Sequence, residues 1–328
     1  MKTNSKFIGI DVSKKTLDIC ILSDRKEFFK IDNTPQSIEE FFTGNLSKKT
    51  THYVCIENTG KYGWALMKLM PEFNCLFYVV NPLHLKKSMG LIRGKNDKID
   101  ALRIAKFIKS NHTEIVAFIT QRIEIKELQV LLTERKHRIK QRKSLVIKNK
   151  EYLSLSDEKL IKKLTQKNNR LIKELDKQIK EFEKSIQEII KQDQKLSTLQ
   201  KQLVSTPGVG KVLAWNLLVK TNEFKTITEP RKLACYAGVA PFENISGTSI
   251  FRKPRVSSFA DKDLKRLLHL GAMSAIRLKN DLSIYYNRKV EEGKNKMSVL
   301  NAVRNKIIHI IFALIKNQTF YQNRLNLS

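Results

Sequence analysis

FIGIDVSKKTLDICILSDRKEFFKI, residues 7–31, decides the fold of the first third of this 328-residue chain. Apolar runs at 7–13, 16–23 and 27–31 are separated by two or three polar residues each. Runs this short, with connections this tight, read as three successive strands. In the first run strand alternation puts Phe7, Gly9 and Asp11 on one face. A carboxylate inside such a run needs a chemical reason, because a solvated surface acid has no need of apolar neighbours.

The pattern continues outward. Thr34 and Pro35 open a helix as N-cap and first residue. HYVCIE (52–57) is a fourth strand, with Tyr53, Cys55 and Glu57 on one face. A helix follows from about Tyr62, and LFYVVNP (76–82) contains a fifth strand. In GKNDKIDALRIAKF (94–107) Asn96 precedes a helix whose apolar stripe is Ala101, Ile104, Ala105 and Ile108. Asp97 and Asp100 extend that stripe toward the N-terminus and so face the protein. Three strands followed by alternating helices and strands predict a mixed sheet covered by helices, an α/β unit over 1–120.

Asp97 and Asp100, at i and i+3, have Cβ atoms about 5–6 Å apart. Each has an ordinary explanation as first-turn acidity, and Asp11 has one as a residue closing a strand. The four acids Asp11, Glu57, Asp97 and Asp100 together predict a divalent cation site for phosphodiester chemistry. Two ions about 3.5–4 Å apart stabilise both the attacking and the leaving oxygen. An all-carboxylate set suits Mg²⁺, with Mn²⁺ as a substitute. Cys20, Cys55, Cys75 and Cys235 are widely spaced, and the six histidines form no ligand cluster, which argues against zinc or a disulfide framework.

Residues 121–203 change character. Gly is absent, and Leu171, Leu175, Ile179, Phe182, Ile186, Ile189, Leu196, Leu199 and Leu203 recur at spacings of mostly three and four, with Asp193 interrupting the seam. The pattern predicts a coiled-coil helical hairpin, with helices over about 121–152 and 157–203. It reads equally as a rigid spacer or as an arm joining chains into a homodimer or homotetramer. Residues 204–328 form a third, mostly helical unit, with helices from about Asp261 and Met297. It opens on Pro207-Gly208-Val209-Gly210-Lys211, a turn whose free amides at a helix start can meet phosphate. It lacks the spacing of a P-loop. A turn-rich, partly extended stretch at 238–258 contains Ser246-Gly247 and the basic residues Arg252, Lys253 and Arg255. Lys265 and Arg266 lie on the next helix.

The net charge of +30 favours a polyanionic partner, double-stranded DNA first. No long apolar N-terminal segment and no run of about 18 apolar residues is present, so the chain reads as cytoplasmic, nucleoid-associated when bound to DNA, with no membrane partner.

FIGIDVSKKTLDICIL, CIENTGKYG and VVNPLHLKKSMGLIRGKNDKIDALRIAKF resemble the RuvC-like, RNase H-fold domain of the DEDD transposases. This is the insertion-sequence one-ten family, which also holds the Piv-type invertase. LVSTPGVGKVLAWNLL, KLACYAGVAPFENISGTSIFRKPRVS and DKDLKRLLHLGAMSA resemble its C-terminal transposase domain. The resemblance covers both ends of the chain, and the middle matches as a helical spacer. It implies that Asp11, Glu57, Asp97 and Asp100 are the acidic tetrad and that Ser246 is the nucleophile attacking DNA. The family often has two serines before this glycine; here Ile245 takes the first place. The resemblance also implies a multimer and, in many members, a structured non-coding guide RNA. The residues alone leave a Ser-Gly turn structural. They also leave room for a RuvC-type endonuclease using metal-activated water, or for a binding protein without catalysis.

Overall fold

The computed structural model describes residues 5–88, 96–246, 250–256 and 259–323, with backbone alone for 243–246 and 250–255. Contacts divide the chain into two compact units, Met1–Thr120 and Gln121–Ser328.

The first unit is built on a five-stranded sheet in the order β3-β2-β1-β4-β5. Its strands are β1 Ser5–Val12, β2 Thr16–Leu22, β3 Lys26–Asp32, β4 Thr51–Glu57 and β5 Leu76–Val80. The first three form an antiparallel meander, because their connections are too short for anything else. Helix α1, Pro35–Asn45, supplies the longer crossover that lets β4 run parallel to β1. After α2, Trp64–Leu69, β5 lies parallel to β4. The mixed sheet and its helices are consistent with an RNase H-like domain. Helices α3, Pro82–Ser88, and α4, Asp97–Asn111, complete the unit.

The sheet buries both faces. One carries Ile8, Ile10, Leu17, Ile19, Ile21, Val54 and Ile56, which pack with Ile38 and Phe42 of α1 and Leu66 of α2. The other carries Cys20, Leu22, Cys55, Tyr78 and Val80, and α4 covers it with Ala101, Ile104, Ala105, Phe107 and Ile108. The stripe expected along α4 is the face it buries.

The second unit is helical apart from one hairpin. Helices α5, Ile123–Tyr152, and α6, Glu158–Gln192, fold back on one another. Arg135 reaches Glu183, Arg142 reaches Asp176 and Asn149 reaches Asn169, so the pairing is antiparallel and within one chain. The sequence predicts one helix over 157–203. The structure breaks it at Asp193, whose backbone is extended and whose side chain accepts from Leu196 N to cap α7, Gln194–Ser205. Then come α8 Lys211–Lys220, α9 Pro230–Tyr236, β6 Pro241–Ser246, β7 Ile250–Val256, α10 Lys262–Ala275, α11 Asp281–Glu291 and α12 Lys296–Asn317. Helix α11 was not read from sequence; it is short and rests on its Asn280 capping box. One hydrophobic core takes residues from every helix from α5 to α12. Among the described residues α12 is the helix long and apolar enough to cross a membrane by length and composition. Here Val303, Ile307, Ile308 and Ile311 are fully buried in that core.

Candidate active site

The register of the sheet assembles a row of polar residues on the face that α4 covers. Asp11 of β1 pairs across to Asp18 of β2, and Asp18 pairs across to Lys30 of β3. On the other side the parallel register runs to Ile10 opposite Ile56, and Asp11 and Glu57 are the next residues on these two strands. Cross-strand partners share a face, so the acids lie side by side at one end of the sheet.

Gly9 brings α4 to that row. It lies two residues before Asp11 on the same face. A Cβ there would fall 2.2 Å from the carbonyl oxygen of Ala101 and 2.2 Å from the amide nitrogen of Ala105. Only glycine lets the helix backbone lie directly on β1 at this point. Asp100 immediately precedes Ala101 and is half-buried, whereas Asp97, expected to face the protein, is exposed one turn earlier, next to the N-cap Asn96, because the first turn of α4 overhangs the end of the sheet. The helix N-terminus therefore meets the end of the sheet that bears Asp11 and Glu57.

The electrostatics report the crowding. Burial pushes the Asp11 carboxyl up to about 6, helped by the charges of Asp100, Asp97, Glu57 and Asp18. Burial raises Glu57 as well, with Asp100 adding to it. Two cations among the described residues are paired with these acids. Arg103 donates to Asp100 Oδ1 at 2.6 Å, and Lys30 stands 3.3 Å from Asp18. Among the described residues the site gathers more negative charge than these two cations neutralise. As placed, no three acid, histidine or cysteine side chains among the described residues converge on a common metal position. Asp18 and Arg103 were not found from sequence. Asp18 alternates with Leu17 and Ile19, and the register opposite Asp11 was the missing signal. Arg103 is one basic residue among 62 in the chain.

The second unit places the remaining residues. Ser246 ends β6 and its backbone pairs with Ile250 of β7. Its side chain lies outside the described residues, as do Gly247 and the neighbouring Thr248, Ser249, Ser257 and Ser258. Arg252, Lys253 and Arg255 are on β7, and their side chains also lie outside. Gly208 has φ +82°, and a Cβ there would stand 2.1 Å from the Gly271 carbonyl oxygen of α10. That glycine serves close helix packing. Gly210 is the exposed N-cap of α8, open on all sides, with exposed Lys211 after it. Lys265 and Arg266 lie on α10, and Arg266 lines a cavity of about 670 Å³ with Arg135, Lys136 and Lys220.

Comparison with known proteins decides the family. A transposase model, the DEDD type of IS110, matches residues 8–156, and a model of the transposase IS116/IS110/IS902 family matches 200–287. Together they cover more than half of the chain. The chain belongs to the IS110 family of transposases. It is similar along its length to the pilin gene-inverting protein of Moraxella bovis, 27% identical over 98% of both chains. The corresponding protein of Moraxella lacunata matches equally. An insertion element IS110 protein of Streptomyces coelicolor is 32% identical over 39% of this chain and 31% of its own. This IS110-family protein is thus a DNA recombinase or transposase enzyme.

Proposed function

We propose that this transposase cuts and rejoins DNA strands with Ser246 as nucleophile and with Asp11, Glu57, Asp97 and Asp100 as the holders of Mg²⁺. The observation that carries the reading is the carboxylate cluster itself. Asp11 and Glu57 share a sheet face, Asp100 and the exposed Asp97 stand at the helix start beside it, and the charges of the other three help burial lift Asp11 to about 6. A divalent cation would neutralise this gathering of carboxylates, and when bound it would supply Lewis acidity to a phosphodiester. Arg103 holds Asp100, and Gly9 fixes the height of the helix that carries both aspartates.

In this reading Ser246 Oγ bonds to phosphorus as one strand's P–O bond breaks, and the released DNA oxygen leaves with a proton. A DNA hydroxyl then displaces the serine and restores a phosphodiester, so no energy source is consumed. The net charge of +30 supports contact with a structured RNA guide as well as DNA. Assembly into a homodimer or homotetramer through the α5–α6 hairpin, as a coiled-coil arm, is supported by exposed Leu153, Leu155 and Leu160 at its tip.

Asp11→Asn and Asp100→Asn test the acidic half of the proposal. Both are expected to abolish strand cleavage while duplex binding in a gel-shift assay stays near wild type. Loss of the circular dichroism signal in both variants would make these carboxylates structural and overturn the assignment.

A further inference from the structure

Arg304 lies in the middle of α12 and is 7% exposed. A guanidinium carries five N–H donors and keeps its charge, so burial ordinarily brings a carboxylate with it. Arg122, Arg135 and Arg142 of the same unit each have one. Arg304 has none. Among the described residues nothing hydrogen-bonds or ion-pairs with it, and its Nε is out of water without a partner.

Its neighbours are unpartnered too, and the acceptor beside it is neutral: Asn305 Oδ1, one residue on, is buried without a hydrogen bond among the described residues. Helix α10 packs against α12, and His269 of α10 also has a buried, unpartnered Nδ1. Burial, and then the charge of Arg304, hold the His269 imidazole below its ordinary value, so it is neutral near pH 7 and offers one N–H. On α12 itself Asn301, Arg304 and Asn305 stand at i, i+3 and i+4 and form a polar patch beside the apolar face of the helix. Asn301 donates to the Val239 carbonyl at 2.8 Å, two residues before β6 begins. The patch therefore lies one helical turn from the root of the β6–β7 hairpin. His269 and Asn305 are half-buried, so the rim is open to solvent.

We propose that Arg304 and His269 form a socket for one phosphate group of a nucleic-acid backbone. A phosphate can accept two parallel N–H bonds from the guanidinium and one from the imidazole, and it brings the negative charge that the buried cation lacks. The socket is separate from the acidic cluster and from Ser246, so it stands whether or not the proposed nucleophile is correct.

The full chain and its Arg304→Met variant test this in two measurements. The first is thermal unfolding with inorganic phosphate or chloride at equal ionic strength. Phosphate is expected to raise the wild-type Tm above the chloride value and to leave R304M unmoved, while R304M in chloride melts at the wild-type temperature or higher. The second is duplex DNA affinity against salt. R304M is expected to bind more weakly on every sequence, with the log–log salt slope reduced by about 1. His269→Gln is expected to diminish the phosphate effect without lowering Tm in chloride. If R304M melts lower or fails to fold, the guanidinium has an acid partner within the protein and the proposal is wrong. Equal phosphate stabilisation of both proteins also overturns it. A phosphate effect with an unchanged DNA slope marks a small-anion site and overturns the nucleic-acid assignment.

Discussion

Gly9→Ala isolates the contact on which the acidic site depends. The added Cβ would sit 2.2 Å from two backbone atoms of α4, where ordinary contact begins at 3.4 Å, so the helix must retreat by about 1.2 Å. Neither atom belongs to a side chain that can swing away. Ala101, Ile104, Ala105 and Ile108 all lose their fit against the sheet together, and overpacking of this kind costs about 3 kcal/mol at the upper end of its usual range. The same retreat carries Asp97 and Asp100 away from Asp11 and Glu57, and a misplacement of about 1 Å in a catalytic constellation costs about 10²-fold in rate. Urea unfolding of the wild type and variant gives the first quantity, and strand cleavage under conditions where both are folded gives the second. Gly44→Ala is the control: it lies in α1 with nothing within 4 Å of its added Cβ and leaves both unchanged or slightly improved. Wild-type stability and wild-type cleavage in Gly9→Ala would refute the account of how α4 is seated.

Other perturbations follow from the same geometry. In metal-chelated buffer Asp11 keeps its proton up to about 6 in the folded chain against 3.8 unfolded, and Glu57 shifts the same way. The stability they contribute is full below the unfolded value and falls as pH rises through about 6; Asp11→Asn flattens that fall, and a thermal-melting series across pH that is identical in both proteins contradicts it. Glu223 is buried in a turn where Asn222, Glu223 and Phe224 all have positive φ, and Arg122 bridges it to Asp193. Arg122→Ala leaves Glu223 with Lys195 and Lys225 among the described residues and is expected to cost about 3 kcal/mol in urea unfolding, a loss under about 1 kcal/mol arguing against the bridge. Gly208→Ala, strained at φ +82° and 2.1 Å from the Gly271 carbonyl oxygen, is expected to lower Tm sharply, whereas Gly210→Ala leaves Tm near wild type; equal melting of the two contradicts the packing role.

The first unit was legible because its signals are local. Two- and three-residue connections force the β1–β2–β3 meander, and the stripe on α4 predicts both its buried face and the inward direction of Asp100. Asp18 was hidden because its meaning lies in the register opposite Asp11, which the sequence does not display. Arg103 was hidden because one arginine in a basic chain carries no signal until Asp100 is found 2.6 Å away. Gly208 shows the opposite difficulty. A glycine before a helix reads as an open phosphate turn, but its left-handed backbone and the nearness of Gly271, 63 residues downstream, become visible only after folding. The break at Asp193 was half legible: the acid interrupts the apolar seam, while its second carboxylate oxygen answers Arg122, 71 residues away.

The most direct test of the central claim is covalent trapping. The purified chain would be incubated with Mg²⁺, DNA carrying the element's junction and the flanking RNA, then run on a denaturing gel. The account predicts a protein–DNA adduct that is lost in Ser246→Ala and in Asp11→Asn. Strand cleavage without any adduct, retained in Ser246→Ala, would contradict it and assign the chemistry to hydrolysis by water.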